Sequence, residues 1–173
     1  GGGLAYFSRD RFAAQHGVQV KRGEADLLDG ITTGELTALV LSGPGGVGKT
    51  RLAHELAGKL TEEIRGFDGY WLERGASADS VIALAKAYPA KASILLLVDY
   101  AEAAQRLAEI ADAVANLIEQ AGHNIRLIAT GRASATNRIR DDLEVLNPDI
   151  NSLTSQSAGG SAYLEWVVHS IIE

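Results

Sequence analysis

Apolar and polar positions along this chain follow two patterns that alternate. Four short runs are apolar and rich in leucine or β-branched side chains, which is typical of buried strands. These predicted strands are Leu36–Ser42, Gly69–Leu72, Ser93–Val98 and Ile125–Thr130. Ser93–Val98 is apolar on both of its faces, as expected for a strand in the middle of a parallel sheet that is covered on both sides.

Helical periodicity fills the stretches between these runs. Over Gly48–Thr61, leucines recur every four residues at Leu52, Leu56 and Leu60, which predicts a helix with one apolar face. The other predicted helices are Ala78–Tyr88, Glu102–Ala121, Asn137–Leu146 and Ala162–Ile172. Because strands that alternate with helices form right-handed crossovers, the pattern predicts a three-layer α/β/α fold with a mostly parallel central sheet.

The periodicity weakens toward both ends of the chain. Gly30–Gly34 has the composition of a turn, and Ser152–Ser161 is rich in Ser and Gly and is predicted as a loop. We therefore predict a lead-in segment over residues 1–35, a core over 36–150, and a loop with a closing helix over 151–173. The chain does not begin with Met, and we expect it to be a piece of a longer protein.

The first strand leads directly into Gly43-Pro44-Gly45-Gly46-Val47-Gly48-Lys49-Thr50, which matches the phosphate-binding pattern G-x-x-x-x-G-K-[ST]. The glycines allow a tight curl that points successive N–H groups at phosphate, and the following helix adds its positive end. Lys49 is expected to reach the β- and γ-phosphates, and the Thr50 hydroxyl to bind Mg²⁺. The residues predicted to bind nucleotide are Gly43, Gly45, Gly46, Val47, Gly48, Lys49, Thr50 and Arg51.

Asp99 follows the apolar run Ile94–Val98 about fifty residues after this loop. An acid at the carboxyl end of such a strand is expected to bind Mg²⁺ through water, with a simple helix cap as the alternative. Glu102 lies three residues further on. It is a candidate general base that polarises the attacking water, or else an acid placed in a first helical turn by the helix dipole.

A strand that ends Thr130-Gly131-Arg132 supplies the next candidate. We expect Arg132 to sense the γ-phosphate, so the predicted catalytic set is Lys49, Asp99, Glu102 and Arg132; the alternative for Arg132 is a surface arginine. Arg138 and Arg140 follow, and are either arginine fingers toward a neighbouring subunit or part of a solvated charged helix.

Composition narrows the class of protein. The net charge of −6 makes nucleic acid an unlikely partner, because phosphate backbones need a basic face. There is no Cys, and the longest apolar run is too short to cross a membrane. We therefore expect a cytoplasmic location and no membrane partner.

Three strings together resemble the STAND class of signal-transducing NTPases, relatives of the NB-ARC and NACHT switch ATPases. They are G-P-G-G-V-G-K-T-R-L-A at 43–53, L-L-V-D-Y-A-E at 96–102, and T-G-R at 130–132. Upstream, Tyr6-Phe7-Ser8-Arg9-Asp10 resembles the family's adenine-enclosing F-x-G-R-[DE] segment, with Ser8 where the family has Gly. The resemblance covers roughly residues 5–135 and no winged-helix, repeat or effector region.

The resemblance implies an ATP- and ADP-binding switch with Mg²⁺ as its metal and slow ATP hydrolysis. It further implies that the domain works with other domains of the same larger protein and forms homo-oligomers when ATP is bound. Many bacterial members act in antiphage defence or regulation.

Three other functions stay open from the residues alone. A small-molecule kinase on the same fold would use Arg132, Arg138 and Arg140 as a basic lid. An AAA+-like ATPase would be stimulated by a polymer, and a non-catalytic module would bind nucleotide without turnover. A Ras-like GTPase is disfavoured, because the chain has no Asn-Lys-x-Asp segment to read guanine.

Overall fold

The computed structural model describes residues 3–7, 23–63 and 66–153. A six-stranded sheet lies at the centre of this part of the chain, in the order β1-β3-β4-β5-β2-β6. The strands are β1 (Leu4–Tyr6), β2 (Ala38–Gly43), β3 (Asp68–Leu72), β4 (Ser93–Val98), β5 (Asn124–Arg132) and β6 (Asp149–Ser152). β1 pairs antiparallel with β3, and the other pairs are parallel.

β5 lies between β2 and β4, and its register decides which residues meet at the edge of the sheet. Gly43 is opposite Arg132, and Val98 is opposite Ala129. The carboxyl ends of the three strands therefore lie side by side. This is the edge at which open α/β sheets bind their ligands.

Five helices flank the sheet in the described part of the chain. They are α1 (Glu24–Thr33), α2 (Lys49–Gly58), α3 (Ala78–Ala87), α4 (Leu107–Ala121) and α5 (Thr136–Asp142). α2 continues as a π-helical turn over Lys59–Glu63, and 3₁₀ turns form at Ala101–Ala103, Ala133–Ala135 and Glu144–Leu146. None of the described helices has the length and apolar character needed to cross a membrane.

Two apolar cores cover the two faces of the sheet. Leu95 and Leu97 of β4 face the core that α1 and α2 share, which also contains Leu56. Ile94, Leu96 and Val98 face the opposite core, which α3, α4 and α5 fill. Because successive side chains of a strand point to opposite faces, an uninterrupted apolar strand is what such a sheet requires. The predicted three-layer α/β/α fold is thus confirmed.

The predicted helix over Glu102–Ala121 was wrong at its beginning. Tyr100 has a φ of 53°, in the left-handed region, and Ala104 is extended. Tyr100 precedes a short 3₁₀ turn, Ala101–Ala103, and Ala104 follows it and separates it from α4, which begins at Leu107. Glu102 therefore lies in its own turn beside the sheet edge rather than on the long helix.

Smaller differences occur elsewhere. Gly30 lies inside α1 rather than in a turn, and an added Cβ there would be 2.8 Å from the Leu36 side chain. The predicted Asn137–Leu146 helix ends at Asp142 and is followed by a 3₁₀ turn.

β6 had no apolar signal to predict it, because its side chains are exposed or half-buried and β2 sets its position. It runs from Asp149 to Ser152, across the boundary at 150 that we predicted between the core and the final segment. The Ala162–Ile172 helix and residues 154–161 of the predicted loop lie outside the described residues, as do Ser8, Arg9 and Asp10.

Candidate functional site

The phosphate loop connects β2 to α2 and depends on backbone conformations that favour glycine. Gly46 and Gly48 have φ values of 77° and 98°, in the left-handed region. At Gly43, an added Cβ would lie 2.3 Å from the Leu153 carbonyl oxygen. Val47 is buried in the core beneath α2, so only its backbone is available to a ligand.

Lys49 is the first residue of α2, and its side chain folds back over the loop. It is 6% exposed, and Nζ donates to the carbonyl oxygens of Gly43 at 2.7 Å and Pro44 at 2.9 Å. The carbonyl oxygens of the loop therefore hold the ammonium group at the opening of the loop, where a phosphate would bind. The contact with the β- and γ-phosphates that the sequence predicted for Lys49 stays a prediction.

Burial lowers the pKa of Lys49, the nearby carboxylates of Glu102 and Asp99 oppose that shift, and the charge of Arg132 adds to it. Asp99 contacts Thr50, the residue after Lys49, at 2.9 Å, and Glu102 lies 3.9 Å from Arg132. The structure therefore brings the four residues that were predicted as catalytic to one edge of the sheet. They come from the start of α2, the end of β4, the turn that follows it and the end of β5.

Asp99 lies just past β4 and contacts both the start of α2, next to the phosphate loop, and β5. Its Oδ1 accepts a hydrogen bond from the Thr50 hydroxyl at 2.9 Å and another from the Thr130 hydroxyl at 2.6 Å. The two residues predicted to hold Mg²⁺, Thr50 and Asp99, are thus in direct contact. An oxygen-rich pair of this kind suits Mg²⁺, which binds through one or two side-chain oxygens and keeps several waters.

Thr130 is a site residue for which the sequence predicted a place at a strand end but no role of its own. It is 1% exposed, and its hydroxyl also accepts a hydrogen bond from the Tyr100 backbone N–H at 2.9 Å. It therefore fixes both the Asp99 carboxylate and the turn that follows. A hydroxyl at the end of an apolar strand, next to Gly and Arg, was the signal that could have identified it.

Glu102 lies in the 3₁₀ turn Ala101–Ala103 and points back toward the end of β5. Its Oε1 is 3.9 Å from Nε of Arg132, whose side chain is 72% exposed. Its Oε2 is buried with no hydrogen-bond partner among the described residues. A buried carboxylate oxygen without a donor is unfavourable by itself, and it suits a group that accepts a proton from water.

The remaining predicted residues are the three arginines Arg51, Arg138 and Arg140. Arg51 follows Thr50 in the first turn of α2 and is half-buried; its part in nucleotide binding stays a prediction. Arg138 donates to the backbone carbonyl of Glu102, and Arg140 donates to the Asn137 side chain at 3.0 Å. Neither contact of these two arginines indicates a finger that reaches a neighbouring subunit.

The residues present fit a nucleotide with Mg²⁺. The glycine cradle, the buried Lys49 ammonium and the Thr50–Asp99 pair supply N–H donors, a cation and oxygen ligands at one edge of the sheet. The unpartnered Oε2 of Glu102 lies at the same edge. Groups of these kinds bind phosphate and divalent cations in proteins.

Solved structures with the same fold are large. An Hsp104–ADP complex from S. cerevisiae matches with a TM-score of 0.65 at 11% identity, over 96% of this chain and 26% of that one. C. elegans PCH-2 matches with a TM-score of 0.57 at 14% identity, over 87% of this chain and 47% of that one. This chain therefore spans less than half the length of either.

A chain of the E. coli MS115-1 HORMA:CdnC:Trip13 complex matches with a TM-score of 0.59 at 16% identity, over 98% of this chain and 74% of that one. At such low identity these likenesses concern the fold. A search of curated proteins found no significant match.

A family model matches the sequence itself. The model of the AAA family, the ATPase family associated with various cellular activities, matches residues 39–145. This range is more than half of the chain and contains the phosphate loop, Asp99, Glu102 and Arg132. The chain is therefore a nucleotide-binding ATPase domain that belongs to the AAA family.

Proposed function

We propose that this domain is an ATP-binding conformational switch of the STAND type, with slow Mg²⁺-dependent hydrolysis, in a larger protein. The observation that carries the proposal is the position of Asp99. A single carboxylate oxygen accepts hydrogen bonds from Thr50 on the loop side and from Thr130 on β5. A metal held by Thr50 and Asp99 would compete for these same oxygens, so its binding would be felt both at the start of α2 and on β5.

This arrangement supplies what a nucleotide switch requires. A ligand shifts a conformational equilibrium only by as much as its contacts differ between the two states. The γ-phosphate of ATP adds charge that Lys49 and Arg132 can contact, and ADP lacks it. Mg²⁺ bound with ATP would neutralise charge that develops on the phosphates during hydrolysis.

Glu102 is the proposed general base. Its Oε2 is a buried acceptor at the site edge with no described donor, and it would accept a proton from the attacking water. Arg132 is the proposed γ-phosphate sensor, because it ends β5 with an exposed guanidinium beside Glu102. Hydrolysis would return the domain to its ADP state.

The partners follow from the same proposal. Adenine rather than guanine is expected, because the family is one of ATPases and the chain has no Asn-Lys-x-Asp segment. We propose cytoplasmic action together with other domains of the same protein, and homo-oligomers in the ATP state. The net charge of −6 disfavours nucleic acid as a partner.

An AAA+-like motor is the second candidate function. The fold likeness to S. cerevisiae Hsp104, solved in one case as a casein complex, favours it. A motor and a switch would share the nucleotide site. They differ in that a motor's turnover is stimulated by the polymer on which it acts.

Calorimetry with ATP, ADP and GTP in Mg²⁺, beside Lys49→Ala, tests the nucleotide site. We expect binding of ATP and ADP, none of GTP, and loss of both in the variant. Hydrogen exchange of β5 in ADP and in a non-hydrolysable ATP analogue tests the switch. Equal exchange in both nucleotides would contradict it, and ATPase stimulated by unfolded casein would favour the motor.

A further inference from the structure

The 3₁₀ turn that carries Glu102 has little to hold it in place by itself. It contains two backbone hydrogen bonds, from Ala103 N–H to Tyr100 at 2.8 Å and from Ala104 N–H to Ala101 at 3.1 Å. A single turn of this kind is weakly stable, because the cost of fixing its backbone exceeds what so few bonds return. The position of Glu102 therefore depends on contacts from elsewhere.

Helix α5 supplies such a contact through Arg138. The Arg138 guanidinium donates from Nη2 to the carbonyl oxygen of Glu102. This carbonyl takes no part in the two hydrogen bonds inside the turn. A hydrogen bond from a charged donor is stronger than one from a neutral donor, and here it holds the backbone of the residue whose carboxylate is the proposed general base.

α5 itself is fixed, so Arg138 acts from a rigid base. Ile139, the next residue, is fully buried, and its Cδ1 would lie 2.3 Å from a Cβ added at Gly131. At the start of α5, the Thr136 hydroxyl forms a hydrogen bond with the hydroxyl of Ser42 in β2. The helix is thereby in contact with both β2 and β5.

The other arginines near Glu102 do not hold the turn in this way. Arg132 and Arg138 are both exposed, but Arg132 lies 3.9 Å from the Glu102 side-chain carboxylate and makes no hydrogen bond to the backbone of the turn among the described residues. Arg140 lies two residues after Arg138 on the same helix, but its hydrogen bond goes to Asn137 within that helix. Arg138 and Arg140 therefore form a matched pair, in which only the first reaches the turn.

We propose that Arg138 is a positioning residue that holds the Glu102 turn against the end of β5. This role differs from the two that the sequence allowed, an arginine finger and a solvated charge on a helix. As a statement about catalysis, it rests on the proposed function of Glu102. As a statement about structure, it can be tested without any turnover.

The first test is hydrogen exchange of the 173-residue chain. In Arg138→Ala, the amides of Ala103 and Ala104 should exchange several times faster than in the parent, because the turn loses one of its outside contacts and keeps those of Tyr100 and Ala101. In the control Arg140→Ala, these rates should not change. Equal exchange in the two variants would overturn the proposal, and thermal unfolding of both checks that the fold is kept.

The second test is a double-mutant cycle on single-turnover ATP hydrolysis. Glu102→Gln should slow hydrolysis by about 100-fold, as expected when a general base is lost. Arg138→Ala should slow it by roughly tenfold through misplacement of that base, with ATP affinity unchanged. In the Glu102→Gln background, Arg138→Ala should add no further loss, since it acts through Glu102.

The outcomes separate the two proposals. If Glu102→Gln does not slow hydrolysis, or if the chain does not hydrolyse ATP, the role given to Glu102 fails, and hydrogen exchange alone decides whether Arg138 holds the turn. If Glu102→Gln slows hydrolysis and the two arginine variants behave alike, the inference about Arg138 fails and the function of Glu102 stands. Additive losses would indicate a structural role that is independent of Glu102.

Discussion

The phosphate loop and the Glu102 turn face the same site but are built in different ways. The contacts of Lys49 stay within the loop, with Gly43 and Pro44 only a few residues away. The contacts of Glu102 come from Arg132 and Arg138, at least thirty residues further along the chain. The position of Lys49 therefore depends on contacts within the loop, whereas the position of Glu102 depends on the packing of β5 and α5.

Lys49→Ala should have the largest effect, because it removes the one buried cation of the loop. Loss of a charged hydrogen-bond donor is expected to weaken ATP binding by about 100-fold. Calorimetry measures the loss. Lys59→Ala is the matched control, since Lys59 pairs with Glu63 at 2.6 Å on the same helical segment, and it should bind ATP like the parent.

Asp99→Asn tests the residue that contacts both Thr50 beside the phosphate loop and Thr130 on β5. It removes the charge that would attract Mg²⁺ and should weaken Mg²⁺-dependent ATP binding by roughly tenfold. ADP binding without Mg²⁺ should be spared, as calorimetry with and without a chelator would show. Equal losses in both conditions would mean that Asp99 supports the fold rather than the metal, and the exposed Asp112→Asn on α4 serves as the control.

Gly131→Ala tests the Glu102 turn alone. Its added Cβ would lie 2.3 Å from Ile139 Cδ1 and 3.2 Å from Glu102 Oε2, so the Ile139 side chain must shift and Glu102 must yield slightly. We expect single-turnover hydrolysis to fall by about tenfold with ADP affinity unchanged. If ADP affinity falls together with the rate, the positions of Lys49 and Glu102 are not independent in the way described.

Arg126→Ala should lower the free energy of unfolding without changing the affinity for ATP. Arg126 donates from Nε to the Ile31 carbonyl at 2.9 Å, and burial lowers its pKa. Without it, that buried carbonyl loses its donor, which should cost about 1–3 kcal/mol of unfolding free energy. Denaturant unfolding measures this cost. ATP affinity should stay within twofold of the parent (ΔΔG below about 0.4 kcal/mol), because Arg126 lies at the opposite end of β5 from the site.

The same division explains what the sequence could predict. The strand Ser93–Val98 and the phosphate loop were confirmed because an apolar run and a local motif determine each of them. Asp99 could be found because it follows that strand directly. Its contact with Thr130 could not be found, because it depends on β5 lying between β2 and β4, and a strand order is not written in local periodicity.

The errors have a physical cause as well. The Glu102–Ala121 pattern is helical in composition, but the left-handed Tyr100 and the extended Ala104 lie on either side of a separate 3₁₀ turn that contains Glu102. The contact of Tyr100 with Thr130 comes from thirty residues away. β6 has a polar sequence and exists because β2 offers it an edge. In both cases a distant part of the chain overrides local preference.

The backbone at Leu153 lies directly against the start of the phosphate loop. The Leu153 N–H donates to the Ser42 carbonyl at 2.6 Å, and its own carbonyl leaves no room for a side chain at Gly43. A movement of the loop backbone must therefore push or release the chain at Leu153. Such a movement would reach Leu153 without passing through the rest of the sheet.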